Sequence, residues 1–355
     1  MKKISARLLV LLPFALLLGM GACAPKSHQS PSNSYTLRVD RIWDERYSAF
    51  PSIVEFQGSY YVSFREAESH IFDRNGIAAG QTRILRSTDG ERWESVALLG
   101  KDGYDLRDPK LSVTADGRLM VIMGGSVYVD RQLTDRIPQV SFSNDGCQFS
   151  DLEPVIIQDD SAPGMHWFWR VTWVGGEGYT VSYGEPGGDG LTLFKTQDGL
   201  HFEAVTTLEM GGFPNEATIR ALPDGRLGML IRREKEDKMA WWGVSQPPFT
   251  EWELRPLTFQ IGGPDFIVLD DGTLVAGGRA YVFGEHKTYL WKGKADGAFS
   301  AACILPSGGD NSYPGFLRVG DELWTVYYSS HELVGEDGKP RAAIYLARLP
   351  LSFFR

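Results

Sequence analysis

Lys110 to Gly125 reads KLSVTADGRLMVIMGG: an apolar run, an Asp-Gly pair and a second apolar run. Two β-favouring segments joined by Asp-Gly are the strongest short-range signal of a hairpin, because the pair supplies the left-handed backbone of a tight turn. The unit returns as ATIRALPDGRLGMLIRR from Ala217 to Arg233 and as DFIVLDDGTLVAGGR from Asp265 to Arg279. Weaker copies begin at Ser52 (SIVEFQGSYYVSFRE), Arg170 (RVTWVGGEGYTVSYG) and Gly315 (GFLRVGDELWTVYYS), which makes six. A second repeat lies between them, of the form S/T-x-D-G-x-x-W/F: Ser87 to Trp93, Ser143 to Phe149 and Thr196 to Phe202, spaced 56 and 53 residues apart. In such a turn the hydroxyl and carboxylate bond backbone amides, glycine takes positive φ and the aromatic packs beneath. Lys294 to Phe299 (KADGAF) reads as a decayed fourth copy.

Six hairpin-based units of about 50 residues predict an all-β fold, a six-bladed β-propeller, with four strands to a blade. No segment carries a long stripe of period 3.6, so helix is expected to be scarce. The run from Tyr35 to Ile42 precedes the first unit and is expected to pair with the last blade, closing the ring without an open edge. The 40 glycines, 10 Trp, 14 Tyr and 19 Phe agree with many tight turns between short strands. Both repeats read as scaffold.

The first 22 residues read as an export signal outside the fold. Lys2, Lys3 and Arg7 precede an apolar run of 13 residues from Leu8 to Met20, too short to span a bilayer. Met20-Gly21-Ala22-Cys23 resembles a bacterial lipobox, which implies acylation of Cys23 and an exported, lipid-anchored chain in the cell envelope, or a secreted one. Residues 23–34 read as a flexible tether and residues 35–355 as the propeller domain. Without the signal, 33 basic against 45 acidic side chains leave −12. That balance, without a basic run, argues against nucleic acid as a partner. Cys147 and Cys303 read as buried thiols, not a disulfide framework, and no zinc-type spacing is present.

The S-x-D-G-x-x-W turn resembles the Asp box of bacterial sialidases and related glycoside hydrolases. Four further segments extend the resemblance from about Ala49 to Ser330. Asn215-Glu216, followed by ALPDGRLGMLIR, resembles the segment with the catalytic glutamate and a substrate-clamping arginine, which implies Glu216 and Arg232 in those roles. Arg279 ends the next hairpin, at the place of another clamp arginine. Asn311-Ser312-Tyr313 resembles the segment with the nucleophilic tyrosine. Ile71 to Gly76 (IFDRNG) resembles the loop with the acid/base aspartate, here Asp73. The roles have a chemical logic. A sialic acid carries a carboxylate at its anomeric carbon, which repels a carboxylate nucleophile, so a tyrosine attacks and a glutamate removes its proton. An aspartate of raised pKa protonates the leaving oxygen. Arginines grip the substrate carboxylate through planar, paired donors.

The resemblance breaks at one point. Sialidases open the first blade with F-R-I-P, whose arginine belongs to the clamp, whereas this chain has Ser48-Ala49-Phe50-Pro51. Arg65, Arg107 and Arg170 are candidate replacements. Arg107-Asp108-Pro109 also resembles the R-D-P of five-bladed furanosidases and fructosidases, where the aspartate steadies the transition state. That implies Asp108 as a substrate-facing carboxylate. In Met165 to Arg170 (MHWFWR) the aromatics, Trp169 among them, are expected to wall a sugar subsite. The resulting expectation is a monomeric exo-glycoside hydrolase on a glycan, acting by a retaining mechanism with a terminal sialic acid or related acidic sugar and no cofactor or metal. Its rivals are a carboxylate-only propeller glycosidase on a neutral or uronic sugar, using Asp73, Asp108 and Glu216, and a glycan-binding propeller without catalysis.

Overall fold

A computed structural model describes residues 37–158, 164–183, 190–282, 284–335 and 337–355. The expected signal, tether and Cys23 anchor lie outside the described residues. Residues Tyr35–Arg355 group as one compact unit. It is a six-bladed β-propeller, and its only described helix is the short 3-10 turn Leu351–Phe353. No helix among the described residues is long and apolar enough to cross a membrane.

Each blade runs outward from an innermost strand. In the first blade Tyr47–Phe56, Ser59–Ala67, Gln81–Ser87 and Glu94–Leu99 pair in sequence order. The fourth and fifth blades repeat this from Pro214–Ala221 and Gly262–Val268. The second blade begins with Asp105–Val113. The third begins with two short pieces, Trp167–Phe168 and Thr172–Val174, with Trp169 to Val171 between them. The sixth contains Asn311–Val319, Glu322–Val334 and Pro340–Pro350, and its outermost strand is Arg38–Trp43. That N-terminal strand runs antiparallel to the C-terminal one, with Arg38 opposite Arg348, and closes the ring. Apolar layers between blades hold the circle. Leu230, Trp242, Phe266 and Trp291 fill the space between the fourth and fifth blades, and Phe56, Tyr61, Leu106 and Val121 that between the first and second.

All three S/T-x-D-G turns have one geometry. The amides of Gly90, Gly146 and Gly199 donate to the hydroxyls of Ser87, Ser143 and Thr196 at 2.8–2.9 Å. Asp89, Asp145 and Asp198 each accept two amides further on, at 2.8–2.9 Å. The glycines sit at φ 73°, 73° and 82°. A Cβ on Gly90 would lie 2.1 Å from the Trp324 ring, and one on Gly146 2.0 Å from the Tyr61 hydroxyl, so each turn is wedged against the preceding blade. Phe202 is fully buried beneath its turn, whereas Trp93 and Phe149 are half-buried. Cys147 differs from the sequence expectation. It follows Gly146 at the turn's tip and is exposed, while Cys303 is partly buried and its thiol is pushed up to about 11 by desolvation.

The strand directions put these turns and the Asp-Gly hairpins at one end of the ring. The starts of the innermost strands lie at the other.

Candidate active site

The innermost strands break register near their starts: between Ala49 and Ser52, Arg107 and Lys110, Pro214 and Ala217, Gly262 and Asp265, and Ser312 and Gly315. Such bulges re-aim side chains. In four of the five, the residue before a proline adopts positive φ: Phe50 at 61°, Asp108 at 48°, Gly263 at 59° and Tyr313 at 51°. For a residue with a Cβ this backbone costs about 1–3 kcal/mol, and such strain concentrates where function needs it. Gly263 has a second reason to be glycine, because a Cβ there would lie 2.3 Å from the Tyr313 ring.

The bulges bring Tyr313, Glu216 and Arg232 together. The Tyr313 hydroxyl donates to Glu216 Oε1 at 2.7 Å, and Arg232 Nη1 donates to Glu216 Oε2 at 2.6 Å and to the Tyr313 oxygen at 2.9 Å. The Gly263 amide donates to Glu216 Oε2 at 2.7 Å. Burial by itself raises the Glu216 carboxyl, but Arg232, the Tyr313 hydroxyl and the Gly263 amide outweigh it and hold the group below its ordinary value, ionised. Burial, then the Glu216 charge, push the Tyr313 phenol well above its usual range, with Arg232 and Arg279 opposing. A neutral phenol bonded to an ionised carboxylate, with a guanidinium on its oxygen, is arranged for proton transfer as that oxygen bonds to something else.

Asp108 stands in the same electrostatic environment. Its side chain is buried, Oδ1 has no hydrogen-bond partner, and desolvation with the nearby Glu216 charge pushes its carboxyl up to about 6 against the pull of Lys110 and Arg107. Lys110 lies below, donating to the carbonyls of Phe50 and Pro51 at 3.2 and 3.3 Å and resting on the Trp169 ring. Burial first, then Arg170, pull its ammonium down.

Arg279 closes the far side. Its Nε donates to the Asn311 carbonyl at 2.9 Å, its Nη2 to Asp310 Oδ1 at 2.9 Å and to the Tyr328 hydroxyl at 2.7 Å, and its guanidinium stands 5.3 Å from the centre of the Tyr313 ring. Asp310 also accepts from Tyr328 at 2.8 Å, from the Tyr47 hydroxyl, and pairs with His70 Nδ1 at 2.5 Å. Phe50 packs beside this group. Its ring meets Tyr313, Tyr328 and His70 edge-on at 4.9, 5.2 and 5.4 Å, and the Arg107 guanidinium lies 5.2 Å from its centre.

Other expected site residues are placed differently. Asp73 is not drawn into this group. Its Oδ1 accepts the Ile77 and Asn75 amides at 2.8 Å, and these bonds hold the carboxyl below its ordinary value, the reverse of a proton donor's need. Arg65 is fully buried, with Nε on Asp105 at 2.8 Å and Nη1 on the Ser69 carbonyl, so it braces the loop from beneath. Arg107 bonds Asp105 and the His70 carbonyl. Arg170 is buried 3.3 Å from Asp265. Trp167, Phe168 and Trp169 are core residues and not an exposed wall. The Trp169 Nε1 donates to Thr218 and to the Pro264 carbonyl, and its ring edge supports Tyr313. Arg233 is also buried, over Trp241 and paired with Glu236 and Asp237. A groove of about 1010 Å³ between the first two blades, lined in part by Ile77, Tyr104, Tyr128 and Arg131, contains none of the bonded group.

Sequence reasoning missed Asp310 and Lys110. The recurring x-Pro step at the starts of the inner strands (Phe50-Pro51, Asp108-Pro109, Gly263-Pro264, Tyr313-Pro314) was a signal for the bulge positions.

No family model matches the sequence, and no curated protein matches it. Solved structures match in fold. A Dyadobacter fermentans protein of unknown function is 15% identical with a TM-score of 0.73, covering 88% of this chain and 99% of that one. The phage phi92 endosialidase is 11% identical with a TM-score of 0.69, covering 89% and 69%. An α-L-arabinofuranosidase of Fusarium graminearum, solved with an iminosugar inhibitor, is 15% identical with a TM-score of 0.62, covering 88% and 97%.

Proposed function

We propose that this propeller is a glycoside hydrolase that removes a terminal sugar at the Tyr313–Glu216 pair. The observation that carries the reading is the mutual contact of Tyr313, Glu216 and Arg232, with Tyr313 held in left-handed backbone. The fold neighbours that hydrolyse glycosidic bonds agree with it. Tyr313 attacks the anomeric carbon, its proton passes to Glu216, and Arg232 steadies the phenolate oxygen as it forms. The glycosyl–tyrosine intermediate is then hydrolysed, which retains configuration. In this reading the proton donor to the leaving oxygen is Asp108, in place of Asp73. Asp108 is buried beside Glu216 with one oxygen unpartnered, and is protonated in mildly acidic solution. Export and anchoring through Cys23, action on envelope or extracellular glycans, and a monomeric state belong to the same proposal.

A second reading uses carboxylates alone, with ionised Glu216 as nucleophile or base and Asp108 as acid. The raised carboxyl beside a lowered one favours it, since two carboxyls pushed apart in this way suit acid and base roles. Turnover of a panel of nitrophenyl glycosides by wild type and by Tyr313→Phe separates the two. Loss of turnover supports attack by Tyr313, and retained turnover with loss in Asp108→Asn supports the carboxylate route. No hydrolysis of any glycoside by the wild type sinks both.

A further inference from the structure

Six arginines near the funnel already hold carboxylates of the protein. Arg65 and Arg107 share Asp105, Arg170 and Arg220 share Asp265, Arg232 is paired with Glu216 and Glu234, and Arg279 with Asp310. The Asp310 arrangement is the most complete. Its Oδ1 accepts Arg279 Nη2 and the Tyr328 hydroxyl, and its Oδ2 accepts the Tyr47 hydroxyl and faces His70 Nδ1. A guanidinium and two phenols on one carboxylate are the donor set that would seat a sugar's carboxylate beside Tyr313. The protein's own side chain occupies it. Asp310 and Glu234 also remain partly open, at 27% and 33% side-chain exposure against 19% and 20% for Arg279 and Arg232, so an arriving anion meets a negative charge beside each arginine. Specificity arises from such repulsive elements as much as from attractive ones.

We propose that Asp310 sets the charge class of the substrate. It stands in for a substrate carboxylate on Arg279, and the terminal sugar taken at Tyr313 and Glu216 is therefore neutral. The proposal rests on the glycosidase reading, and names the substrate class that reading leaves open. Releasing Arg279 from Asp310 converts an anion-excluding site into an anion-binding one.

The test compares wild type, Asp310→Asn, Asp310→Glu and Glu234→Gln. Two readouts are used: hydrolysis of nitrophenyl α-L-arabinofuranoside and nitrophenyl N-acetylneuraminide, and calorimetric binding of free L-arabinose and N-acetylneuraminic acid at low and high salt. Wild type and Asp310→Glu are expected to favour the neutral probes. Asp310→Asn is expected to acquire salt-sensitive binding of N-acetylneuraminic acid, raising the acidic-to-neutral ratio by about tenfold or more. Glu234→Gln leaves the Tyr47–His70–Tyr328 network intact and removes one of the two carboxylates on Arg232, so it shifts the ratio the same way, by less, even where Asp310→Asn does not fold. The proposal is overturned by a wild type that binds or cleaves the acidic sugar as well as the neutral one, by a folded Asp310→Asn that fails to acquire anion binding, or, where that variant does not fold, by the same failure in Glu234→Gln. If the wild type hydrolyses neither these probes nor any glycoside of the nitrophenyl panel, the glycosidase reading fails. The calorimetry then decides the charge-class proposal alone, by the same criteria.

Discussion

At the end of the ring that carries the Asp-Gly hairpins, the blades are near copies of one another; at the funnel end they share a backbone plan and almost no side chains. Gly90, Gly146 and Gly199 make the same bond to the same kind of hydroxyl. The bulge positions of the innermost strands instead hold Phe50, Asp108, Gly263 and Tyr313, one aromatic, one acid, one glycine and one phenol. The turn end repeats because each of these turns answers the same local demand, a tight reversal wedged against the preceding blade. At the funnel these positions face one another across an axis, so each answers to the others and repetition would defeat them.

This contrast predicts separable effects. The largest is expected from Glu216→Gln and Tyr313→Phe, which should lower kcat/KM by about 10²–10⁴-fold while thermal unfolding stays close to wild type. A matching fall in the unfolding midpoint would show that the funnel end carries stability as well as chemistry. Next comes Asp108→Asn. A proton donor acts only while it holds its proton, so wild-type activity should decline as pH rises through about 6, and the variant should lose most of its activity and that descending limb. A profile unchanged in shape would remove Asp108 from the chemistry. At the other end, Gly90→Ala forces a Cβ into the Trp324 ring at positive φ. We expect a loss of about 1–3 kcal/mol in urea unfolding with turnover per folded molecule unchanged. The smallest effect is expected from Asp73→Asn, which removes a carboxylate already satisfied by its own loop. Steady-state rates within about threefold of wild type would support this, and a loss like that of Glu216→Gln would return Asp73 to the proton-donor role.

The same contrast explains what could be read from the chain. The S/T-x-D-G turns are complete within seven residues, so their spacing alone predicted blades, and the closing strand followed from needing a partner for the last edge. Glu216, Tyr313, Arg232 and Arg279 were visible because each stands in a segment resembling sialidases. The fates of the other expected residues depended on partners far away in sequence. Asp310 meets Tyr47 across 263 positions and His70 across 240, and no local pattern announces such a meeting. Arg65 and Arg170 looked like free cations because Asp105 and Asp265, on other blades, reach them only once the ring is assembled. Trp167 to Trp169 looked like a sugar platform because aromatics suit both platforms and cores. Burial decides between these, and a one-dimensional sequence does not state it.

The closing strand has a consequence for how the molecule presents itself. Arg38 pairs with Arg348 and reaches Glu91 beside the Gly90 turn, whereas Trp43, at the strand's other end, leads towards Tyr47 and the funnel. The chain therefore enters the propeller at the turn end. Arg38 stands on the face opposite the funnel. A pull on Arg38 along the strand axis loads the outermost strand of the last blade parallel to its length, so its ladder of bonds to Pro340–Pro350 resists in shear and not one bond at a time.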